Sequence, residues 1–283
     1  MKKKIQIKEM CVRDGLQNEK KIVPTKAKLQ LIQRLMEAGI TYIEETSFVN
    51  PKAIPQMADA VELAKQLPHN KDVVFSALVP NLKGFEMAMQ AYPFKEIAVF
   101  TSASETFNQK NINTTIAGSF DRFIPLIKKA KEANVQVRGY VSTAFVCPYE
   151  GKINPQQVIP VIEQLLDLGC YEVSIGDTIG KAQPSEIDQL FELIEKNNWI
   201  GKVAGHYHDT YGNALNNVVK TMEWGVNVFD SSAGGIGGCP YAPGAKGNVA
   251  TEALVSYFDQ IGVDTDIDLK KLNQAFQPIL EFI

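Results

Sequence analysis

The chain has 283 residues, 45% of them hydrophobic and 22% charged, with a formal net charge of −3. This is ordinary globular composition, large enough for one big α/β core, and it lacks the broad basic field that nucleic acid selects. No apolar run reaches the roughly 18 residues of a membrane span, and the N-terminal MKKKIQIKEM leads into alternation rather than a signal core, so a cytosolic setting is expected.

The elements follow in chain order. A first strand, IQIKEMCV, runs up to Arg13 and Asp14. The stretch PTKAKLQLIQRLMEAG has helical spacing, with Leu29, Ile32, Leu35 and Met36 on one face and Gly39 as a stop. The second strand, TYIEETSF, carries Glu44 and Ser47 late in its run, and VVFSAL, EIAVF and VQVRGYVS supply three more strands. The helix NPQQVIPVIEQLLDLG ends at Gly169, and the sixth strand, YEVSIGD, ends in Asp177. Next comes QPSEIDQLFELIEKN, a helix with Ser185 as cap and Asp188 in the capping-box position. The strands KVAGHYH and NVFDSS complete the set; His206 and His208 end the first, and Asp230, Ser231 and Ser232 end the second, before a glycine-rich loop. About fifteen residues after VDTDID read as an extra C-terminal helix.

Strand and helix alternate without a linker, which predicts a parallel sheet. Eight such units in one chain predict a single domain over residues 1–283, a (β/α)8 TIM barrel with an extra C-terminal helix. The rival, a doubly wound sheet, usually has a glycine-rich turn after its first strand. Here that strand ends in VRDGLQNE, with opposite charges side by side.

A barrel gathers its chemistry at the carboxyl ends of its strands, where the unusual polar residues lie. The chain has only three histidines, and His206 and His208 stand at i and i+2. On a strand these two point to the same side, while Tyr207 points into the strand–helix layer. Strand seven lies two places from strand one in a closed barrel, so Asp14 can join both imidazoles as a metal ligand. The plainer alternative is an inward polar layer with satisfied hydrogen bonds. Cys11, Cys147, Cys170 and Cys239 are widely spaced and include no C-x-x-C pair, so no disulfide is expected. Taken alone, the Gly-Gly-Cys-Pro around Cys239 is a tight turn or a phosphate cradle after strand eight.

VRDGLQNE, GDTIG, HYHDTYGNAL and GGIGGCPYAPGAKGNVATE together resemble the 3-hydroxy-3-methylglutaryl-CoA lyase family. This is a group of metal-dependent TIM-barrel enzymes related to Claisen-type synthases. The likeness runs from about Ile5 into the 270s and includes TSFVNPKAIPQMAD, VPNLKGFE and KNIN. It implies a divalent metal, Mg²⁺ or Mn²⁺, on Asp14, His206, His208 and the side-chain oxygen of Asn248. It implies an acyl-CoA substrate, cleaved in a retro-Claisen sense to acetyl-CoA and acetoacetate, in leucine breakdown or ketone-body metabolism. Arg13 would face the developing negative charge, and Cys239, on a loop with six glycines from Gly234 to Gly247, would protonate the enolate. A homodimer is the expected assembly, with neither nucleic acid nor membrane as partner.

Other assignments rest on position. Glu44 either polarises a ligating histidine or pairs with Arg13, and Asp177 assists proton transfer or holds substrate. Arg13, Gln17, Ser47, Lys110 and Asn111 are the candidate substrate-binding residues. The alternatives are a lyase for a bulkier 3-hydroxy-3-alkylglutaryl-CoA and a synthase joining acetyl-CoA to a 2-oxo acid; the end of the chain at Ile283 and Cys239 both speak against the synthase. Two departures from the family pattern stand out. Cys11 and Val12 replace a usual Gly-Pro, and Glu45 occupies a place where a hydroxyl residue is usual, so a different strand partner or register is expected there.

Overall fold

The expected strands form as β1 (Gln6–Glu9), β2 (Tyr42–Ser47), β3 (Val74–Leu78), β4 (Glu96–Ser102), β5 (Gln136–Ser142), β6 (Glu172–Asp177), β7 (Val203–Tyr207) and β8 (Val228–Ser231). In this computed structural model, which describes residues 4–237 and 247–283, all eight are parallel and close a barrel in the order β1-β8-β7-β6-β5-β4-β3-β2. The helices between them are α1 (Thr25–Glu37), α2 (Ala60–Lys65), α3 (Leu82–Ala91), α4 (Glu105–Ile112), α5 (Ile116–Glu132), α6 (Pro155–Leu168), α7 (Pro184–Lys196), α8 (Ala214–Glu223) and α9 (Thr251–Gln260). A short antiparallel hairpin, Val146–Cys147 with Gly151–Lys152, sits after β5. Among the described residues no helix is long and apolar enough to cross a membrane.

The barrel has two interiors of different chemistry. Between strands and helices lies a continuous apolar layer that includes Ile7, Leu31, Leu35, Ile97, Leu165, Val173, Leu190 and Phe229. This is what two-faced burial of parallel strands demands. Inside the strands the apolar cluster is small: Met10, Tyr42, Leu78, Ala98 and Tyr140. Much of the remaining interior is charged, with Lys8, Glu44, Arg138, Glu172 and Asp230 all buried.

Several boundaries differ from the sequence expectation, each for a local reason. The buried face of α1 is Ala27, Lys28, Leu31, Ile32 and Leu35, with Leu29 and Met36 only flanking it. In α6, Asn154 accepts a hydrogen bond from the Gln156 N–H at 3.0 Å, and Gln157 accepts from the Asn154 N–H at 3.1 Å. The cap of α7 lies two residues earlier than Ser185: Glu186 accepts from the Gln183 N–H at 3.0 Å, and Asp188 instead accepts from the Trp224 indole at 2.9 Å. The extra C-terminal helix is in two pieces, α10 (Leu269–Ala275) and a 3₁₀ turn, Gln277–Phe282, that contains Pro278, which has no N–H to continue a helix. Both pack against α1, where the Arg34 side chain donates to the Gln274 carbonyl at 3.0 Å.

The first strand ends earlier than expected. Glu9 accepts from the backbone N–H groups of Cys11 and Ala233, both at 2.9 Å, and from the Thr251 hydroxyl at 2.7 Å. These bonds turn the chain out of the sheet, and Cys11–Gly15 forms one π-helical turn closed by the Gly15 N–H on the Met10 carbonyl at 3.1 Å. Gly15 is required there, because a Cβ would lie 2.8 Å from both Ile236 Cγ1 and Ser232 Oγ. Arg13 and Asp14 are therefore carried by a π-turn at the barrel mouth, not by a strand. Such turns are frequent at functional sites.

Candidate active site

Asp14 meets the two imidazoles as strand geometry requires. His206, on β7, and His208, one residue past it, have ring centroids 5.4 Å apart. Each Nε2 lies 3.8 Å from Asp14 Oδ2. Tyr207, between them, points outward, and its hydroxyl meets that of Thr221 on α8 at 2.6 Å. Past the end of β7 the chain of residues 247–250 folds alongside: the Val249 N–H donates to the Tyr207 carbonyl at 2.9 Å, and His208 and Asn248 form an isolated bridge. That bridge places Asn248 in the cluster, where its amide donates to Asp14 Oδ2 at 2.8 Å.

This donor set fits a divalent cation. At 3.8 Å the histidine nitrogens do not hydrogen-bond Asp14, yet the ligating atoms of Asp14, His206 and His208 all lie within 4.8 Å of one another. Bonds of about 2.0–2.2 Å to a central ion are compatible with such separations. The Asn248 side-chain oxygen is buried and has no hydrogen-bond partner among the described residues, which suits a fourth ligand. Burial would raise the Asp14 pKa, but Arg13 and the two histidines outweigh it and hold the carboxyl at about 2. Burial, assisted by His206, lowers His208 to about 4, which leaves its imidazole neutral and able to ligate near pH 7.

The cluster opens onto a cavity of ≈ 440 Å³ at the carboxyl ends of the strands, lined in part by Arg13, Gln17, Ser47, Asn111, His206 and His208. Arg13 donates to Asp14 Oδ1 at 2.6 Å and, through Nε, to Glu44. Burial works against its charge, but those two carboxylates raise its pKa and keep it cationic. Gln17 donates to Asp14 Oδ1 at 3.2 Å, and Ser47 presents a buried hydroxyl with no partner among the described residues. Lys110 does not line this cavity; its ammonium lies 4.7 Å from the Tyr149 ring centroid. Cys239 lies outside the described residues.

Of the two places expected for Glu44, the structure shows the pairing with Arg13, and the place expected for Asp177 changes. Glu44 touches neither histidine; it is held by Arg13 and by the Tyr140 hydroxyl, which donates at 2.9 Å. The carboxylate that meets a ligating histidine is Asp230, with Oδ2 3.1 Å from His206 Nδ1. Asp177 faces the helices, on the side of its register partner Tyr207, and accepts from the N–H groups of Lys181 and Ala182 at 3.0 Å each. It closes the loop after β6 instead of reaching the cavity, and burial lifts its pKa to about 7. The residues missed are Arg138, Tyr140 and Ser174, which hydrogen-bond Asp230 or Glu44. The signal for Arg138 and Tyr140 was present in VQVRGYVS, where a charged residue and a tyrosine at i and i+2 interrupt an apolar run.

A family model described as HMGL-like matches residues 4–279. The mitochondrial hydroxymethylglutaryl-CoA lyase of Pongo abelii is 49% identical over 273 residues, 96% of this chain and 84% of the relative. The solved structure of an HMG-CoA lyase from Brucella melitensis superposes with a TM-score of 0.96 at 48% identity, covering 99% of this chain and 98% of that one. An HMG-CoA lyase from Acinetobacter baumannii, solved in complex with coenzyme A and 3-methylmalate, gives a TM-score of 0.92 at 38% identity, over 98% of this chain and 91% of that one.

Proposed function

The chain belongs to the HMGL-like family, and from that premise we infer that it is a carbon–carbon lyase cleaving 3-hydroxy-3-methylglutaryl-CoA to acetyl-CoA and acetoacetate. The observation that carries this reading is the convergence of Asp14, His206, His208 and Asn248 at one end of a cavity whose wall holds Arg13. The likeness to lyases over nearly the whole chain disfavours the synthase and the bulkier-substrate alternatives.

Those four residues would hold Mg²⁺ or Mn²⁺, and the oxygen-rich mixed set suits either ion. The cation supplies Lewis acidity toward the substrate's tertiary hydroxyl, whose proton is otherwise about nine pKa units beyond the reach of a histidine-like base. Arg13, fixed between Asp14 and Glu44, keeps a full positive charge facing the enolate that develops as the C–C bond breaks. Gln17, Ser47 and Asn111 line the wall along which the acyl-CoA would lie. Cys239 delivers the proton that converts the enolate to acetyl-CoA, the role its glycine-rich context implies. The outward position of Asp177 supports seeking the base elsewhere, among the groups at the metal site. The cytosolic setting and the homodimer expected from sequence belong to the same proposal.

The test is acetoacetate release from 3-hydroxy-3-methylglutaryl-CoA with Mg²⁺, Mn²⁺ or EDTA, in the native protein and in Cys239→Ser. Release should require the cation and fall roughly 10²- to 10⁴-fold in the variant, the usual worth of a positioned proton donor. No release from folded protein with Mn²⁺ bound would overturn the lyase. Release undiminished in Cys239→Ser would remove that thiol from the chemistry.

A further inference from the structure

Arg138 is a fully enclosed cation inside the barrel. It projects from β5 beneath the cavity, is 0% exposed, and does not line the cavity. Its guanidinium forks onto Asp230, with Nη2 to Oδ1 at 2.8 Å and Nη1 to Oδ2 at 3.1 Å. Nε donates to Glu172 at 2.7 Å, and Nη1 also donates to the Tyr140 hydroxyl at 2.9 Å.

Two chains of contacts leave this one plane. The first runs through Asp230 to His206 Nδ1, the ring nitrogen opposite the one that faces Asp14. The second runs through the Tyr140 hydroxyl to Glu44 Oε2, and Glu44 in turn holds Arg13 Nε. Both guanidinium groups also approach the Tyr140 ring, with the Arg138 Cζ 5.0 Å and the Arg13 Cζ 5.6 Å from its centroid. We propose that Arg138 is a positioning residue that aims a metal-ligating imidazole and the Arg13 guanidinium together, from below the site and without touching substrate. The proposal rests on the lyase reading, which makes His206 a ligand and Arg13 a catalytic group.

Packing alone does not ask for this arrangement. Branched aliphatic side chains usually fill the layers of such barrels. Burying ions carries a desolvation penalty that their pairing often only offsets, so a buried ion network is weak evidence for stability. A planar fork is needed because Asp230 is gripped through both oxygens while a third partner, Tyr140, is held at a set angle; an ammonium cannot reproduce that.

The test measures Mn²⁺ affinity by calorimetry on the EDTA-treated full chain, alongside kcat, in the parent, Arg138→Lys, Asp230→Asn and Tyr140→Phe. Arg138→Lys should weaken Mn²⁺ roughly 10- to 100-fold, the usual effect of losing a ligand's supporting partner, and should lower kcat as well. Asp230→Asn should weaken Mn²⁺ comparably, and it decides the same arm should Arg138→Lys fail to fold. Tyr140→Phe cuts only the second arm, so Mn²⁺ affinity should stay within about twofold of the parent while kcat falls about tenfold or more. Unchanged Mn²⁺ affinity in both Arg138→Lys and Asp230→Asn, even with a lower melting point, would reduce Arg138 to a packing role and overturn the proposal. A loss of affinity in Tyr140→Phe as large as in Arg138→Lys would also overturn it, in favour of general loosening of the barrel. A parent that binds Mn²⁺ but does not cleave substrate overturns the lyase reading alone, and the affinities still decide the role of Arg138.

Discussion

Glu45→Gln should stabilise the protein by an amount that grows with pH. Glu45 sits at a bulge in β2, where the register with β3 shifts between Glu44 and Thr46. It is 0% exposed, and neither carboxyl oxygen has a hydrogen-bond partner among the described residues. Burial pushes its pKa well above the ordinary value of 4.5; Asp59 and Glu44 add to this, and Lys28 offsets only part. Lys28 is engaged elsewhere, donating to Asp59 and to the Gln56 carbonyl at 2.6 Å each. A raised carboxyl pKa means that the folded state holds a proton which the unfolded chain releases. Its stabilising contribution is therefore complete below the unfolded value and is lost as pH rises toward the folded one. The loss is about 1.4 kcal/mol for each pH unit between the unfolded value and the folded one. Glutamine keeps the shape and the unpaired polar atoms but cannot ionise, so the difference between the two proteins isolates the carboxyl. Urea unfolding followed by circular dichroism, at several pH values across that range, reads the difference directly. Parallel stability curves would refute the reasoning and mean that the carboxyl is ionised and solvated in the folded protein.

Gly237→Ala should weaken Mn²⁺ binding about tenfold or more in calorimetry, because Gly237 has φ 108° and a Cβ there would collide with the Asn248 amide that reaches Asp14. Tyr207→Phe should cost about 1 kcal/mol in urea unfolding, the worth of its bond to Thr221, while leaving acetoacetate release unchanged. Asp177→Asn should flatten stability against pH: the carboxyl's pKa, raised by burial from 3.8 to about 7, makes the native protein lose stability between those values, up to about 4 kcal/mol.

The sequence was most legible where one local rule decides. Period-2 geometry put His206 and His208 on one side and Tyr207 on the other, and alternation of strands with helices specified the barrel. It was least legible where a distant partner decides. The early end of β1 depends on Glu9 being bonded by Ala233 and Thr251, more than two hundred positions away. Asp230 outcompetes Glu44 for His206 because β8 lies directly beside β7, with Asp230 and His206 in register. Asp177 was read as an inward residue because it ends a strand, but its alternation with Ser174 and Gly176 sends it outward.

Charge balance inside the barrel leads to one further expectation. Three cations, Lys8, Arg13 and Arg138, share the interior with five carboxylates, Asp14, Glu44, Glu96, Glu172 and Asp230. Each of these acidic groups accepts at least one hydrogen bond from a neighbouring donor. Arg138 accordingly holds Asp230 well below the usual carboxylate range, against the effect of burial. At the mouth one cation, Arg13, is shared by two acidic groups, Asp14 and Glu44, which leaves an excess of acidic groups beside the two imidazoles. A desolvated interior tolerates such an excess poorly, and a divalent cation among Asp14, His206, His208 and Asn248 would cancel it. Binding to the folded state alone should then stabilise the protein, by about 2.7 kcal/mol when the free ion exceeds its Kd about 100-fold. The melting point should drop with EDTA and climb with added Mn²⁺, and Asp14→Asn should lose that response. A melting curve indifferent to both reagents would mean that the interior balances its charge by protonation instead, and would count against the cation site itself.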